Sequence, residues 1–135
     1  MTSEAWLKSF LTEHAGVAGS VHFLDGELLK LSASVNLPPP VVRLTETIPK
    51  GKGMAGLAWE RDEVVAVCNL KNDQSGDVRP GAKAVNAQAA LAIPVRDEAG
   101  QLRAVVGIAF MGEREFSAEE LKQFERSADA LPPRG

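Results

Sequence analysis

The sequence predicts an α+β domain built on a central antiparallel β-sheet of five or six strands. Three observations carry this. Residues 17–24 and 27–35 are strand-like runs on either side of a turn signal, and so are residues 88–96 and 102–110. Strands joined by so short a turn must run antiparallel. Helical patterns stand at both ends and in the middle instead of alternating with strands, which separates the chain from doubly wound α/β folds. The order reads α-β-β-(β)-α-β-loop-β-β-α. At 135 residues and 44% hydrophobic content the chain suits a single domain over 1–135. Folding at this length should bury about 65–70% of the unfolded surface, enough for a core without disulfides or structural metal.

Residues 3–14 read as a helix, with Ser3 at the N-cap, Glu4 in the positive first turn and Trp6, Leu7, Phe10 and Leu11 on one face. Gly16 marks its end. Asp25-Gly26 is a type I′ hairpin signal between the first two strands. In the second strand Leu29, Leu31, Ala33 and Val35 alternate with Lys30, Ser32 and Ser34, which predicts one packed and one wet face. Pro38, Pro39 and Pro40 predict a loop over 36–40, and residues 41–48 a short edge strand ending at Pro49. Lys50-Gly51-Lys52-Gly53 then leads into a short helix over 54–61 with Met54, Leu57 and Ala58 as apolar members and Trp59 on an adjoining face.

Residues 64–68 form a continuous apolar strand, followed by the polar stretch 69–80 and a small helix around 81–86. The second hairpin, joined through Asp97–Gly100, is almost wholly apolar and predicts central strands. The last helix has the best local signature. Ser117 and Glu120 make a capping box, Phe116 and Leu121 a hydrophobic staple, and Leu121, Phe124, Ala128 and Leu131 one apolar stripe before Pro132-Pro133.

Composition excludes several functions. One cysteine, Cys68, rules out an internal disulfide and any cysteine-based metal cluster, and predicts a cytoplasmic setting. A net charge of −3 with scattered Lys and Arg lacks the basic footprint of a nucleic-acid binder. No apolar run reaches the roughly 20 residues that cross a bilayer, and Met1-Thr2-Ser3-Glu4 has no basic leader, so neither secretion nor membrane insertion is expected.

Gly51-Lys52-Gly53-Met54-Ala55-Gly56 matches G-x-G-x-x-G, with Asp73 near the spacing a dinucleotide site uses. The helix is too short and Pro49 interrupts its approach, so glycines that allow close packing are the favoured reading; Lys50 and Lys52 leave a weaker anion role open. Asp73, Ser75 and Asp77 begin like a calcium loop, but Val78 and Ala84 stand where glycine and glutamate are needed. Cys68, between Val67 and Leu70, is expected to be buried and structural. His22 is expected at a surface or pocket edge, and His14 as a helix-end histidine facing the negative dipole.

Taken together, Leu29-x-Leu31 to Ala33, Asn36-Leu37-Pro38, Ile48-Pro49-x-Gly51-x-Gly53-x-x-Gly56, Asn69-Leu70, Ala92-Ile93-Pro94-Val95, Gly100-x-Leu102, Val106-Gly107-Ile108 and Phe116-Ser117-x-Glu119-Glu120 resemble a GAF domain over roughly residues 15–131. The resemblance implies terminal helices on one sheet face and a small-molecule pocket on the other, roofed by the helix after Gly53 and the loop from Asn69 to Gln88. It also implies a sensory or regulatory module in signal transduction, a homodimer formed through the terminal helices, and a signalling protein partner.

Relatives with similar motifs, the free methionine-R-sulfoxide reductases, carry a catalytic cysteine where this chain has Ala55 and another in the following loop, where residues 69–87 have none. Their acidic substrate-binding residues would fall at Ala90, Gly107 and Ala109. The cyclic-nucleotide signature has no counterpart, Cys68 does not match a bilin attachment position, and His22 is the only conceivable haem ligand. The expectation is therefore a GAF domain without catalysis, cofactor or metal that binds a small organic ligand. Met54 and Trp59 are its expected apolar wall and Asn69, Asp73, Arg79 and Gln88 its polar contacts. The alternatives are a redox enzyme using Cys68 and a purely structural dimerisation module.

Overall fold

A computed structural model describes residues 1–68 and 88–133. The elements are α1 (Ser3–His14), β1 (Ala18–Asp25), β2 (Leu28–Val35), α2 (Pro39–Leu44), β3 (Thr47–Pro49), α3 (Gly53–Arg61), β4 (Val65–Val67), β5 (Ala89–Arg96), β6 (Leu102–Phe110) and α4 (Ala118–Ala128). The strands form one six-stranded sheet in the order β3-β2-β1-β6-β5-β4, every neighbour antiparallel. Each predicted hairpin supplies one half, and the halves meet where β1 pairs with β6. The edges are three-residue strands, short enough to offer little template for a further strand. The small helix expected around 81–86 lies outside the described residues.

The terminal helices cover one face. Trp6, Leu7, Phe10 and Leu11 from α1 and Phe124 and Ala128 from α4 pack on Val21, Phe23, Leu91, Ile93, Val95, Val106 and Ile108. The capping box of α4 is formed: Glu120 N–H donates to Ser117 Oγ (3.1 Å) and Ser117 N–H to Glu120 Oε1 (3.2 Å). These bonds, the backbone donor first and the Arg114 guanidinium second, hold the Glu120 carboxyl below the usual carboxylate range. Arg114 also lies over the rings of Phe110, Phe116 and Phe124 at 4.5, 5.0 and 5.7 Å.

Several local expectations are corrected. Thr2, not Ser3, caps α1, its hydroxyl accepting from Ala5 N–H (3.1 Å), and Ala15 rather than Gly16 takes the left-handed conformation at its end (φ 58°). His14 is in the last turn of α1 as expected, but its surroundings are aromatic as well as polar. Its ring lodges between Phe10 and Phe124, with centroids 4.8 and 4.5 Å away, and burial lowers its pKa. In the first hairpin the two turn residues are Gly26 and Glu27, because Asp25 pairs with Leu28. Only Gly26 takes a positive φ (67°), which is the type II′ pattern instead of I′.

The edge strand expected over 41–48 is a helix followed by a strand. Proline costs nothing at the first positions of a helix, where no N–H donor is required, so Pro39 and Pro40 open α2 instead of prolonging a loop. The simple alternation expected in β2 is also broken. Val21 pairs with Ala33 but His22 with Leu31, leaving Ser32 as an extra residue. A one-residue insertion exchanges the faces of a strand. Accordingly Ala33 packs under the terminal helices, while Leu29 packs on the opposite face with Ile48, Ala58, Val65 and Val105.

Candidate functional site

On the face away from α1 and α4, the sheet carries a cavity of about 140 Å³. Its floor follows from strand register. Ala18 of β1, Ala109 of β6 and Ala90 of β5 are cross-strand neighbours in one row, and Ser20, Gly107 and Ala92 in the next. Adjacent interior rows in a packed sheet are normally filled by branched or aromatic side chains. Here no side chain in either row is larger than serine, and the missing volume is the cavity. The following row, His22, Val105 and Pro94, is bulky and closes that end. Leu37, Val41 and Thr45 form one wall, Ile48 another, and Gly53, Met54 and Ala55 at the start of α3 the last.

The glycine motif builds this wall and does not cradle a phosphate. Gly51 and Gly53 take φ of 82° and 66°, and a Cβ on Gly56 would lie 2.5 Å from Pro49 O, so the loop needs its glycines to bring α3 against β3. Gly51 N–H donates to Gly56 O (2.9 Å), closing the turn on itself. With a nine-residue helix and no parallel strand pair, the dinucleotide arrangement is absent from the described residues.

His22 is 2% exposed and so not at the surface; it lines the end of the cavity, the pocket-edge alternative of the expectation. Its Nε2 lies 2.7 Å from Thr45 O, so Nε2 carries the hydrogen that donates and Nδ1 the lone pair; Nδ1 is buried without a hydrogen-bond partner. Burial lowers the His22 pKa, opposed by the bond to Thr45, and the ring is therefore neutral near pH 7. Thr45 ends α2, so this bond pins the helix that walls the cavity onto the sheet. The Thr45 hydroxyl is itself engaged, donating to Val41 O (2.8 Å).

Of the expected contact residues, Met54 lines the cavity. Trp59 is partly buried in the apolar cluster beneath α3, with the Lys50 ammonium 5.8 Å from its ring, and is not among the lining residues. Gln88 directly precedes β5, its N–H donating to Phe110 O (3.0 Å), and is not among them either. Asn69, Asp73 and Arg79, and the loop roof, lie outside the described residues. The residues missed were the small ones. Alternating Ala90/Ala92, Gly107/Ala109 and Ala18/Ser20 was visible in the sequence, but only register aligns them. Ala55, Ala90, Gly107 and Ala109, where the reductases were expected to hold their cysteine and acids, all line the cavity. Cys68 does not, and it is exposed instead of buried. Among the described residues no group of three or more His, Cys, Asp or Glu is arranged to hold a metal ion. No described helix is long and apolar enough to cross a membrane.

The solved structures similar to this chain share its architecture. A type II free methionine-R-sulfoxide reductase from Thermoplasma acidophilum matches with a TM-score of 0.74 at 20% identity, over 95% of this chain and 85% of that one. The GAF domain of an Acinetobacter phosphoenolpyruvate-protein phosphotransferase matches at 0.73 and 18%, over 97% and 80%. A Neisseria meningitidis free methionine-R-sulfoxide reductase, solved with its substrate, matches at 0.71 and 17%, over 93% and 75%. At these identities the likeness is one of fold. No curated protein matches in sequence. The family model for the GAF domain matches residues 6–131, nearly every element described above. With that match, the two-faced antiparallel sheet and the glycine-bounded helix over its open face, the chain belongs to the GAF domain family.

Proposed function

We propose that this GAF domain is a non-enzymatic regulatory module that binds a small organic molecule in the cavity between the β1-β6-β5 face and α2 and α3. The observation that carries the reading is the pair of small-residue rows, Ala18-Ala109-Ala90 and Ser20-Gly107-Ala92, which leaves room on the sheet with no cysteine among its described lining residues. Ala55, at the position expected for the reductase cysteine, has no group that could attack a sulfoxide. Met54 belongs to the site as wall. Asn69, Asp73, Arg79 and Gln88 are proposed as its polar contacts, with Trp59 supporting α3 from behind.

The proposal extends to a homodimer that passes ligand occupancy to a signalling protein. The buried apolar stripes of α1 and α4 are already used by the sheet, so contact through these helices would draw on their outer faces, where Glu4 and Lys8 are exposed. Native mass spectrometry of the protein purified from its own host tests both parts. A retained small molecule and a dimer mass are expected, and a bare monomer would count against both.

The redox alternative draws its support from the exposure of Cys68 and from the reductases among the similar structures. Under our reading, wild type and Cys68→Ala both fail to reduce free methionine sulfoxide with a thiol reductant. An activity that disappears in Cys68→Ala would replace it.

A further inference from the structure

We infer that His22 is a ligand-binding residue of the cavity, and that the molecule bound there presents a hydrogen-bond donor, an N–H or O–H group, to His22 Nδ1. This rests on the ligand-binding reading above and names one chemical feature of the ligand. The size and charge of the rest of the molecule do not enter. The state of the ring follows from its partner. A backbone carbonyl can only accept, so the hydrogen between His22 and Thr45 O belongs to Nε2 (2.7 Å), and the neutral ring keeps its lone pair on Nδ1. The two nitrogens of an imidazole point in nearly opposite directions. With Nε2 turned to the end of α2, Nδ1 points away from that helix.

Nδ1 is buried and has no hydrogen-bond partner among the described residues. A buried acceptor in this condition is uncommon in a folded chain, because it has given up water for nothing in return. Its place in the fold supplies the return. The His22 ring lines the end of the cavity, beside the row Ser20-Gly107-Ala92, whose small side chains leave room for a guest to meet the ring edge. Packing at this end does not call for a second heteroatom. Val105 and Pro94, the row neighbours of His22, are apolar, and the bond that pins α2 uses Nε2 alone. A guest that donates to Nδ1 also acts through the ring. It draws charge toward that nitrogen and makes Nε2–H the stronger donor, so occupancy tightens the hold on Thr45 and on the α2 wall.

The test uses pairs of probes of like shape that differ in the donor: indole against benzofuran, and phenol against fluorobenzene. Each is titrated calorimetrically into the full chain at pH 7.5, and long-range proton–nitrogen NMR spectra follow the His22 ring. Indole and phenol should bind about tenfold more tightly than their partners, the worth of one buried hydrogen bond. In the ligand-free protein Nδ1 should resonate as an imine nitrogen free of hydrogen bonds, and it should move upfield with indole but not with benzofuran. In His22→Gln, which keeps a donor for Thr45 O, the preference within each pair should disappear. Should that variant fail to fold, the Nδ1 resonance of the wild type decides. Equal affinity within the pairs and an unmoved resonance would overturn the inference and leave the ligand-binding reading standing. So would a resonance already shifted in the ligand-free protein, or a molecule retained from the host that leaves it unmoved when added back. Binding of no probe, with nothing retained by protein from its host, would overturn both.

Discussion

The two faces of the β1-β6-β5 sheet are written in the same strands and solve opposite problems. Toward α1 and α4 the rows are Val21-Val106-Ile93 and Gly19-Ile108-Leu91, and the helices supply Leu7, Phe10 and Leu11 to fill what remains. Toward α2 and α3 they are Ala18-Ala109-Ala90 and Ser20-Gly107-Ala92, and no helix fills them. The first face carries the stability. The second gives up dispersion contacts to keep a space, a cost a domain bears when the space is useful. A period of two lets one strand hold both messages at once.

The largest expected effect is on the packed face. Phe124 touches the rings of His14, Phe110 and Phe116, so Phe124→Ala should cost about 3–5 kcal/mol in urea unfolding. Next, Ala104→Leu on that face should cost about 1–3 kcal/mol by overpacking, whereas Ala109→Leu in the cavity floor should stay within about 1 kcal/mol of wild type. Equal losses at 104 and 109 would break the comparison. A smaller effect, about 1 kcal/mol, is expected from Ser117→Ala, which removes the α4 cap and loosens the lid of the packed face.

The finest effect is a slope. The His22 pKa is lower in the folded chain than its ordinary 6.5, so the unfolded chain binds the extra proton. The stabilisation is full above pH 6.5 and is lost as the pH falls below it. His14 adds to the slope in the same direction. His22→Gln keeps an amide donor for Thr45 O but does not titrate, so its unfolding free energy should fall less than wild type's between pH 7.5 and 5.5. An unchanged slope would remove His22 from the account.

What could be read beforehand follows the range of the cause. The two hairpins, both terminal helices and the Ser117–Glu120 box depend on residues within a few positions of one another, and all are present. The packing role of Gly51, Gly53 and Gly56 was also legible, because the short helix and Pro49 argued against a phosphate loop. Helix α2 was not, since two prolines and two valines read locally as loop and strand, and what holds them is distant: Val41 is buried and His22 grips Thr45. Ser32 was not, because a bulge is defined only against the partner strand. The cavity's floor residues escaped for the same reason, although the family resemblance implied a pocket on this face under the helix after Gly53. Alanine, serine and glycine draw no notice singly, and Trp59 and Gln88, chosen for their chemistry, stand outside a space made by residues with almost none.

The pairing of β1 with β6 sets a kinetic condition as well as an architecture. Ala18 meets Ala109 and Phe23 meets Ala104, so the centre of the sheet joins the earliest strand to the last. Each hairpin can zip locally within about 1–10 μs. The seam between them must close a loop of most of the chain, and sheets dominated by such distant pairings fold in roughly milliseconds to seconds. Stopped-flow refolding should therefore show one slow phase that Val106→Ala, at the seam, retards more than Leu29→Ala, far from it. The space above Gly107 comes into being only with that final closure.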